Sequence, residues 1–286
     1  MQKVLTYITA LVFFSVMSAA CKKSLLRSSE TGTAPVPEVT ETGPALLTPV
    51  PGRISANIFG YYEALPAHYQ QTNQKYPVIF FFQGGGQYGD GHTHLDTVLA
   101  DGIGKLLRDK IFPPSFTVAS GTFSFIVIIP QLVKKINDNS ELDSLINYAK
   151  AKYRIDSSRV YLSGFSMGGK QVCDYAAYKP LEIAAVTSMS GMPGMTASLD
   201  GKCKAIADAR LPLWQFHAKN DSAWKYTESV KFISTINNFN PAVPPKFTLF
   251  EKGERRLNHD SWTKASDPAY KEDGKNIYEW MLGYTR

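Results

Sequence analysis

Three residues in the second half of the chain have the types that turn a hydroxyl into a nucleophile: Ser166, Asp221 and His259. A serine hydroxyl attacks a carbonyl poorly at neutral pH. It needs a base to take its proton and N–H donors to hold the oxyanion that forms. Ser166 sits in Gly164-Phe165-Ser166-Met167-Gly168, directly after the apolar run Val160-Tyr161-Leu162 and before a plausible helix. A sharp strand-to-helix turn lifts such a serine clear of its neighbours, and the flanking glycines answer the crowding of that turn. Three fixed positions of this kind recur by chance in about one protein of this length in ten at ordinary Gly and Ser frequencies, so the context carries the reading. The same stretch nearly spells a phosphate-binding loop, Gly164 to Gly169-Lys170. Gln171 stands where a magnesium-binding Ser or Thr is needed, and no apolar strand ends in an acidic metal partner, which speaks against nucleotides.

If the chain order is serine, acid, base, the acid and base follow Ser166. Leu213-Trp214-Gln215-Phe216 runs as a strand into His217-Ala218-Lys219-Asn220-Asp221, which places Asp221 at a strand's carboxyl end. Asp208 precedes that strand, Asp260 adjoins the proposed base, and His217 reads as structural. His259 follows the apolar run Phe247 to Phe250, in Leu257-Asn258-His259-Asp260-Ser261-Trp262; His68, His92 and His94 all precede Ser166. The loop Gln83-Gly84-Gly85-Gly86-Gln87 ends an earlier apolar run, so its bare backbone, with the N–H of Met167, suits an oxyanion. His92-x-His94 lacks an identifiable third metal ligand. No metal or cofactor is expected.

These residues need a frame that brings several loops to one edge. Continuous apolar runs at 76–82, 125–129, 160–162, 184–186, 213–216 and 247–250 read as strands buried on both faces. Between them lie helical periodicities: Leu95 to Leu107, Leu142 to Ala149, Trp224 to Ile236 and Ile277 to Leu282. Alternating strands and helices imply an α/β, doubly wound, mostly parallel sheet with its site beyond the strands' carboxyl ends. An antiparallel strand is expected near Ile58 to Pro66. The segment from Ser190 to Leu211 is too short for a large lid domain, leaving an open site with Trp224 and Trp262 as candidate substrate-binding aromatics.

Composition sets the outer bounds. With 286 residues, 44% hydrophobic and 20% charged, the chain suits one large globular domain. Its +6 net charge is scattered, with no basic stripe to follow a phosphate backbone, which argues against nucleic acid. Lys3, the apolar stretch 4–16 and Ser18-Ala19-Ala20 form a signal peptide over 1–20. Cys21 follows at once and resembles the lipid-bearing cysteine of a bacterial lipoprotein, so an exported protein anchored to a membrane through Cys21 is expected. Residues 21–51, rich in Ser, Thr, Pro and Gly, read as a flexible tether, and 52–286 as the catalytic domain. Cys173 and Cys203 leave open either a disulfide or two buried thiols.

From about Ile54 onward the chain resembles α/β-hydrolase esterases of the predicted-peptidase and phospholipase/carboxylesterase-like group, related to feruloyl esterases and polyhydroxybutyrate depolymerases. The resemblance rests on Tyr61-Tyr62-Glu63-Ala64-Leu65-Pro66, the 84–90 glycine loop, Tyr153 through Gly169, and His259-Asp260-Ser261-Trp262. It implies an α/β-hydrolase fold, Ser166 as nucleophile, Asp221 as acid, His259 as base, and Gly85 with Met167 as oxyanion donors. It also departs from the family: Gln83 stands where the family usually has His, and Glu254-Arg255-Arg256 enlarges the loop before the base. The expected activity is hydrolysis, through an acyl-enzyme, of a small-molecule or oligosaccharide ester such as a feruloyl or acetyl ester of a polysaccharide fragment. A serine peptidase on the same frame, or a non-catalytic binding protein on a hydrolase scaffold, are the alternatives.

Overall fold

The computed structural model describes residues 39–136, 138–194, 198–255 and 257–286. The expected signal peptide, the lipid site Cys21 and the tether as far as residue 38 lie outside these. Strand β1 (Leu46–Pro51) pairs antiparallel with β2 (Ile58–Leu65), from Leu46 opposite Leu65 to Pro51 opposite Gly60. Residues 46–51, which composition assigned to the tether, are thus part of the folded sheet. Pro49 and Pro51 lack an N–H to donate, which an edge strand tolerates and a central strand does not.

The remaining strands are β3 (Tyr76–Phe82), a separate hairpin of β4 (Phe116–Val118) and β5 (Gly121–Phe123), then β6 (Ile126–Leu132), β7 (Ile155–Phe165), β8 (Ala185–Met189), β9 (Leu213–Ala218) and β10 (Lys246–Phe250). Eight of the ten form one sheet in the order β1-β2-β6-β3-β7-β8-β9-β10, parallel from β6 to β10. The strands from β3 to β9 that read as unbroken apolar runs are buried along their cores because helices cover both faces.

Alternation along β3 shows the two layers. Val78, Phe80 and Phe82 join one core with Leu142 of α2 (Ser140–Lys152), Val172 of α3 (Met167–Tyr178), Cys203 of α4 (Leu199–Asp208) and Phe232 of α5 (Tyr226–Asn237). Ile79 and Phe81 join the other, with Ile103 of α1 (Gly102–Arg108), Trp262 of α6 (Trp262–Ser266) and Tyr278 of α7 (Ile277–Leu282). Each buried Phe contributes roughly 2–3 kcal/mol of apolar transfer, which is why this strand anchors the sheet.

A further local reading differs from the structure. The periodicity from Leu95 to Leu107 is not one helix: a 3-10 turn over Leu95–Leu99 precedes α1, and the break falls at Gly102, φ +53°. A Cβ there would meet the Phe81 ring at 2.5 Å, so packing against β3 overrides the helical period. Of the two readings left open for Cys173 and Cys203, the structure has buried free thiols, Cys203 on α4. No large lid covers the carboxyl edge among the described residues, and no described helix is long and apolar enough to cross a membrane.

Candidate active site

Ser166 occupies the turn between β7 and α3 with φ +53° and ψ −119°, a backbone region few non-glycine residues adopt. Such strain costs about 1–3 kcal/mol and needs surrounding structure to hold it. The Ser166 N–H donates to the Met189 carbonyl at 2.8 Å, and its carbonyl accepts the Lys170 N–H at 3.0 Å. The glycines have distinct steric causes. A Cβ on Gly164 would lie 2.6 Å from the Gly168 carbonyl carbon, and one on Gly168 would lie 2.2 Å from the Phe82 carbonyl oxygen. The second contact presses α3 onto the end of β3, so the helix begins beside the glycine loop.

His259 and Asp221 reach the serine from the ends of β10 and β9, whose register sets Phe250 opposite Ala218. The Ser166 hydroxyl lies 2.9 Å from His259 Nε2, and His259 Nδ1 lies 2.7 Å from Asp221 Oδ2. With the carboxylate accepting from Nδ1–H, Nε2 carries the lone pair that faces Ser166. Asp221 Oδ1 accepts the N–H groups of Ala223 and Trp224, each at 2.9 Å. The carboxylate is therefore fixed at both oxygens.

His217, read from sequence as structural, also touches this carboxylate. Its Nε2 lies 3.0 Å from Asp221 Oδ2 and 3.1 Å from the Trp224 carbonyl, both acceptors, so Nε2 bears the proton. Its Nδ1 faces the Ser229 hydroxyl at 2.8 Å, and the ring is fully buried. Burial alone would lift the Asp221 carboxyl. Hydrogen bonds from His217, His259 and the Trp224 N–H outweigh it and hold Asp221 well below the usual carboxylate range. The sequence signal for this contact is the spacing of four residues between His217, at the end of β9, and Asp221 just beyond it.

The other side of Ser166 is backbone. Phe82 pairs with Gly164, which puts the loop after β3 next to the nucleophile turn. Gly85 packs against the Met167 side chain, where an added Cβ would find Met167 Cγ at 3.2 Å. Met167 opens α3, so its N–H has no carbonyl one turn back to bond. Gln83 fixes the glycine loop: its Nε2 donates to the Gln87 carbonyl at 2.9 Å, and its Oε1 accepts the Leu132 N–H at 3.3 Å. The glutamine thus ties the loop to β6.

The enlarged loop before His259 is also held. Glu254 and Asp260 pair as a bridge, and Arg255 donates to Asp260 Oδ2 at 2.7 Å and reaches Asp101 at 3.4 Å. Asp260 thereby belongs to the loop's support and not to the base. Leu257 and Asn258, both at φ +60°, turn the chain sharply just before His259.

A cavity of about 460 Å³ opens over these groups, lined by Gly85, Gly86, Thr97, Phe165, Ser166 and His259. Trp262 borders it but is only 1% exposed, wedged between Phe165 at 4.5 Å and His259 at 5.4 Å, ring centre to ring centre. Trp224 is partly exposed and stands 6.0 Å from the His259 ring, lining a second cavity of about 470 Å³.

A doubly wound sheet with a serine, histidine and aspartate joined at its carboxyl edge is the arrangement of the α/β-hydrolase fold. Residues 130–267, which carry all three, match the model of the Phospholipase/Carboxylesterase family. A bifunctional acetylxylan esterase/xylanase of Neocallimastix patriciarum is 29% identical over 151 residues, 53% of this chain. The chain aligns to only 20% of that relative's length. Among solved structures, a thermostable esterase superposes with a TM-score of 0.57 at 20% identity, over 85% of this chain and 63% of its own. A mutant of the feruloyl esterase module from Clostridium thermocellum, complexed with sinapinate, superposes with a TM-score of 0.52 at 17% identity, over 76% and 85%. At these identities the structural likenesses speak to the fold.

Proposed function

We propose that the protein hydrolyses carboxylic esters through an acyl-enzyme on Ser166. The observation that carries this is the continuous hydrogen-bonded line Ser166–His259–Asp221 at 2.9 and 2.7 Å. His259 Nε2 takes the hydroxyl proton as Oγ attacks the ester carbonyl, and Asp221 holds the tautomer and steadies the imidazolium. The N–H groups of Gly85 and Met167 receive the developing oxyanion. The tetrahedral centre collapses, the alcohol leaves with the proton from His259, and water activated by the same imidazole releases the acid and frees Ser166.

Feruloyl or acetyl esters of polysaccharide fragments are the proposed substrates. The 460 Å³ cavity is open and partly aromatic, and relatives of this fold include feruloyl and acetylxylan esterases. In this proposal the enzyme acts outside the cytoplasm, anchored by a lipid on Cys21; Cys21→Ser then loses incorporation of labelled fatty acid in cells. The test of reaction class is turnover of an aryl acetate and of methyl ferulate beside a peptide anilide. The proposal expects hydrolysis of at least one ester and none of the anilide. Cleavage of the anilide alone would establish a peptidase instead.

A further inference from the structure

The second cavity, of about 470 Å³, is lined by Met167 and Trp224, and the proposed reaction gives it no role. Three lysines from separate elements converge on it: Lys135 after β6, Lys170 on the first turn of α3, and Lys225 immediately before α5. Lys170 is paired with Asp174, which also accepts from Lys202 at 2.7 Å. Lys135 and Lys225 have no carboxylate partner among the described residues, and the one acidic side chain lining the cavity is Glu228. Counting Lys135, Lys170, Lys202 and Lys225 against Asp138, Asp174 and Glu228 over this cavity and the one adjoining it leaves one positive charge unmatched. Gathering like charges around a concavity is unfavourable unless an anion enters.

A second observation points to a polar occupant. A smaller cavity of about 210 Å³ shares Lys170 as a wall and is lined by Gln171. Gln171 is 4% exposed, and neither its Nε2 nor its Oε1 has a hydrogen-bond partner. A buried amide with both ends unmet is met by water or by a ligand's hydroxyls. Trp224 adds a partly exposed ring face, the surface on which a sugar ring packs.

We infer that this cavity is a subsite for a carboxylate-bearing sugar unit of the ester substrate, held by Lys135 and Lys225 against Trp224. The inference deepens the ester reading and rests on it for the word substrate. The ammonium groups supply the charge, and the adjoining Gln171 pocket takes hydroxyls of the same or the next sugar. Neither lysine touches the reacting atoms, and both are exposed, so replacing them leaves folding and simple ester turnover intact.

The test is equilibrium binding to the full protein carrying Ser166→Ala, which cannot consume its ligand. Xylotriose bearing one glucuronic acid branch is compared with unbranched xylotriose by calorimetry. The acidic ligand binds about tenfold more tightly at low salt, as expected for two partly exposed charge contacts. The preference vanishes in Lys135→Gln/Lys225→Gln and in about 1 M salt, where the screening length falls to about 3 Å. Equal affinity for the two ligands, including no binding of either, overturns the inference, as does a preference that survives the double substitution. Aryl acetate turnover by the protein with Ser166 intact is measured alongside. No acid preference in the protein with both lysines present, with turnover intact, removes the subsite alone, whereas preference without turnover removes the ester reading and leaves an acidic-sugar site.

Discussion

Replacing His217 tests how the acid of the triad is held. His217→Leu removes the Nε2–H that donates to Asp221 Oδ2 at 3.0 Å and leaves the Trp224 carbonyl and the Ser229 hydroxyl without that partner. A hydrogen bond to a charged group contributes about 1.5–3 kcal/mol, and the ring is fully buried, so unfolding free energy falls by about 2–4 kcal/mol. Asp221 keeps His259 and two backbone donors, so it remains an oriented carboxylate. The loss in kcat/KM is therefore about 10–100-fold, well short of the roughly 10⁴-fold expected when the triad carboxylate itself is replaced. A carboxylate relieved of one donor binds an imidazolium more strongly, so the acid limb of the pH–rate profile moves to higher pH. His217→Gln, whose amide N–H can take the place of Nε2–H, restores the limb and most of the rate. The assay is kcat/KM for an aryl acetate from about pH 5 to 9, with urea unfolding to confirm that each variant is folded. A folded His217→Leu protein with unchanged rate and limb, or a Gln variant as impaired as Leu, refutes the positioning role.

Other perturbations probe separate parts of the account. Gly168→Ala places a Cβ against the Phe82 carbonyl, so it loses about 1–3 kcal/mol of stability and, by displacing Ser166, about 10²-fold in kcat with a small change in KM. Steady-state kinetics and a melt on that variant check both halves. Asp221 and Asp143, the latter bonded to Lys179, are both depressed in the folded state. Their stabilisation is complete above the unfolded carboxyl value of about 3.9 and is lost as pH falls below it, and a flat unfolding free energy between about pH 6 and 3 would contradict this. Burial pushes the Cys173 and Cys203 thiols up to about 12. Neither should react with a thiol reagent at about pH 8 until denaturant is added, and rapid labelling of the native protein would show that they are not buried thiols.

Much of the frame was legible because the physics behind it is local. A strand covered on both faces must be apolar at successive positions, so β3 and β9 announce themselves, and each candidate catalytic residue follows such a run. The features that escaped depend on distant partners. β1 carries two prolines and little burial, and only its pairing with β2 makes it a strand. The helical period from Leu95 breaks at Gly102 because Phe81 occupies the space a side chain would take. The convergence of Lys135, Lys170 and Lys225 from three separate elements has no local sequence signature, whereas the contact of His217 with Asp221 is local to the turn after β9 and had its signal in their spacing of four residues. Gln83 shows the converse case: its departure from the family residue was visible, but only the structure shows it bonded to Gln87 and Leu132.

The central claim is that Ser166 is the nucleophile of an ester hydrolase, and the most direct measurement is the kcat for an aryl acetate of the wild type beside Ser166→Ala. Loss of the nucleophile in a working triad lowers kcat by about 10⁴–10⁶-fold while the fold is unchanged, and that is the expected result. Equal rates for the two proteins would contradict the account, since the hydrogen-bonded line from Ser166 through His259 to Asp221 would then take no part in the chemistry.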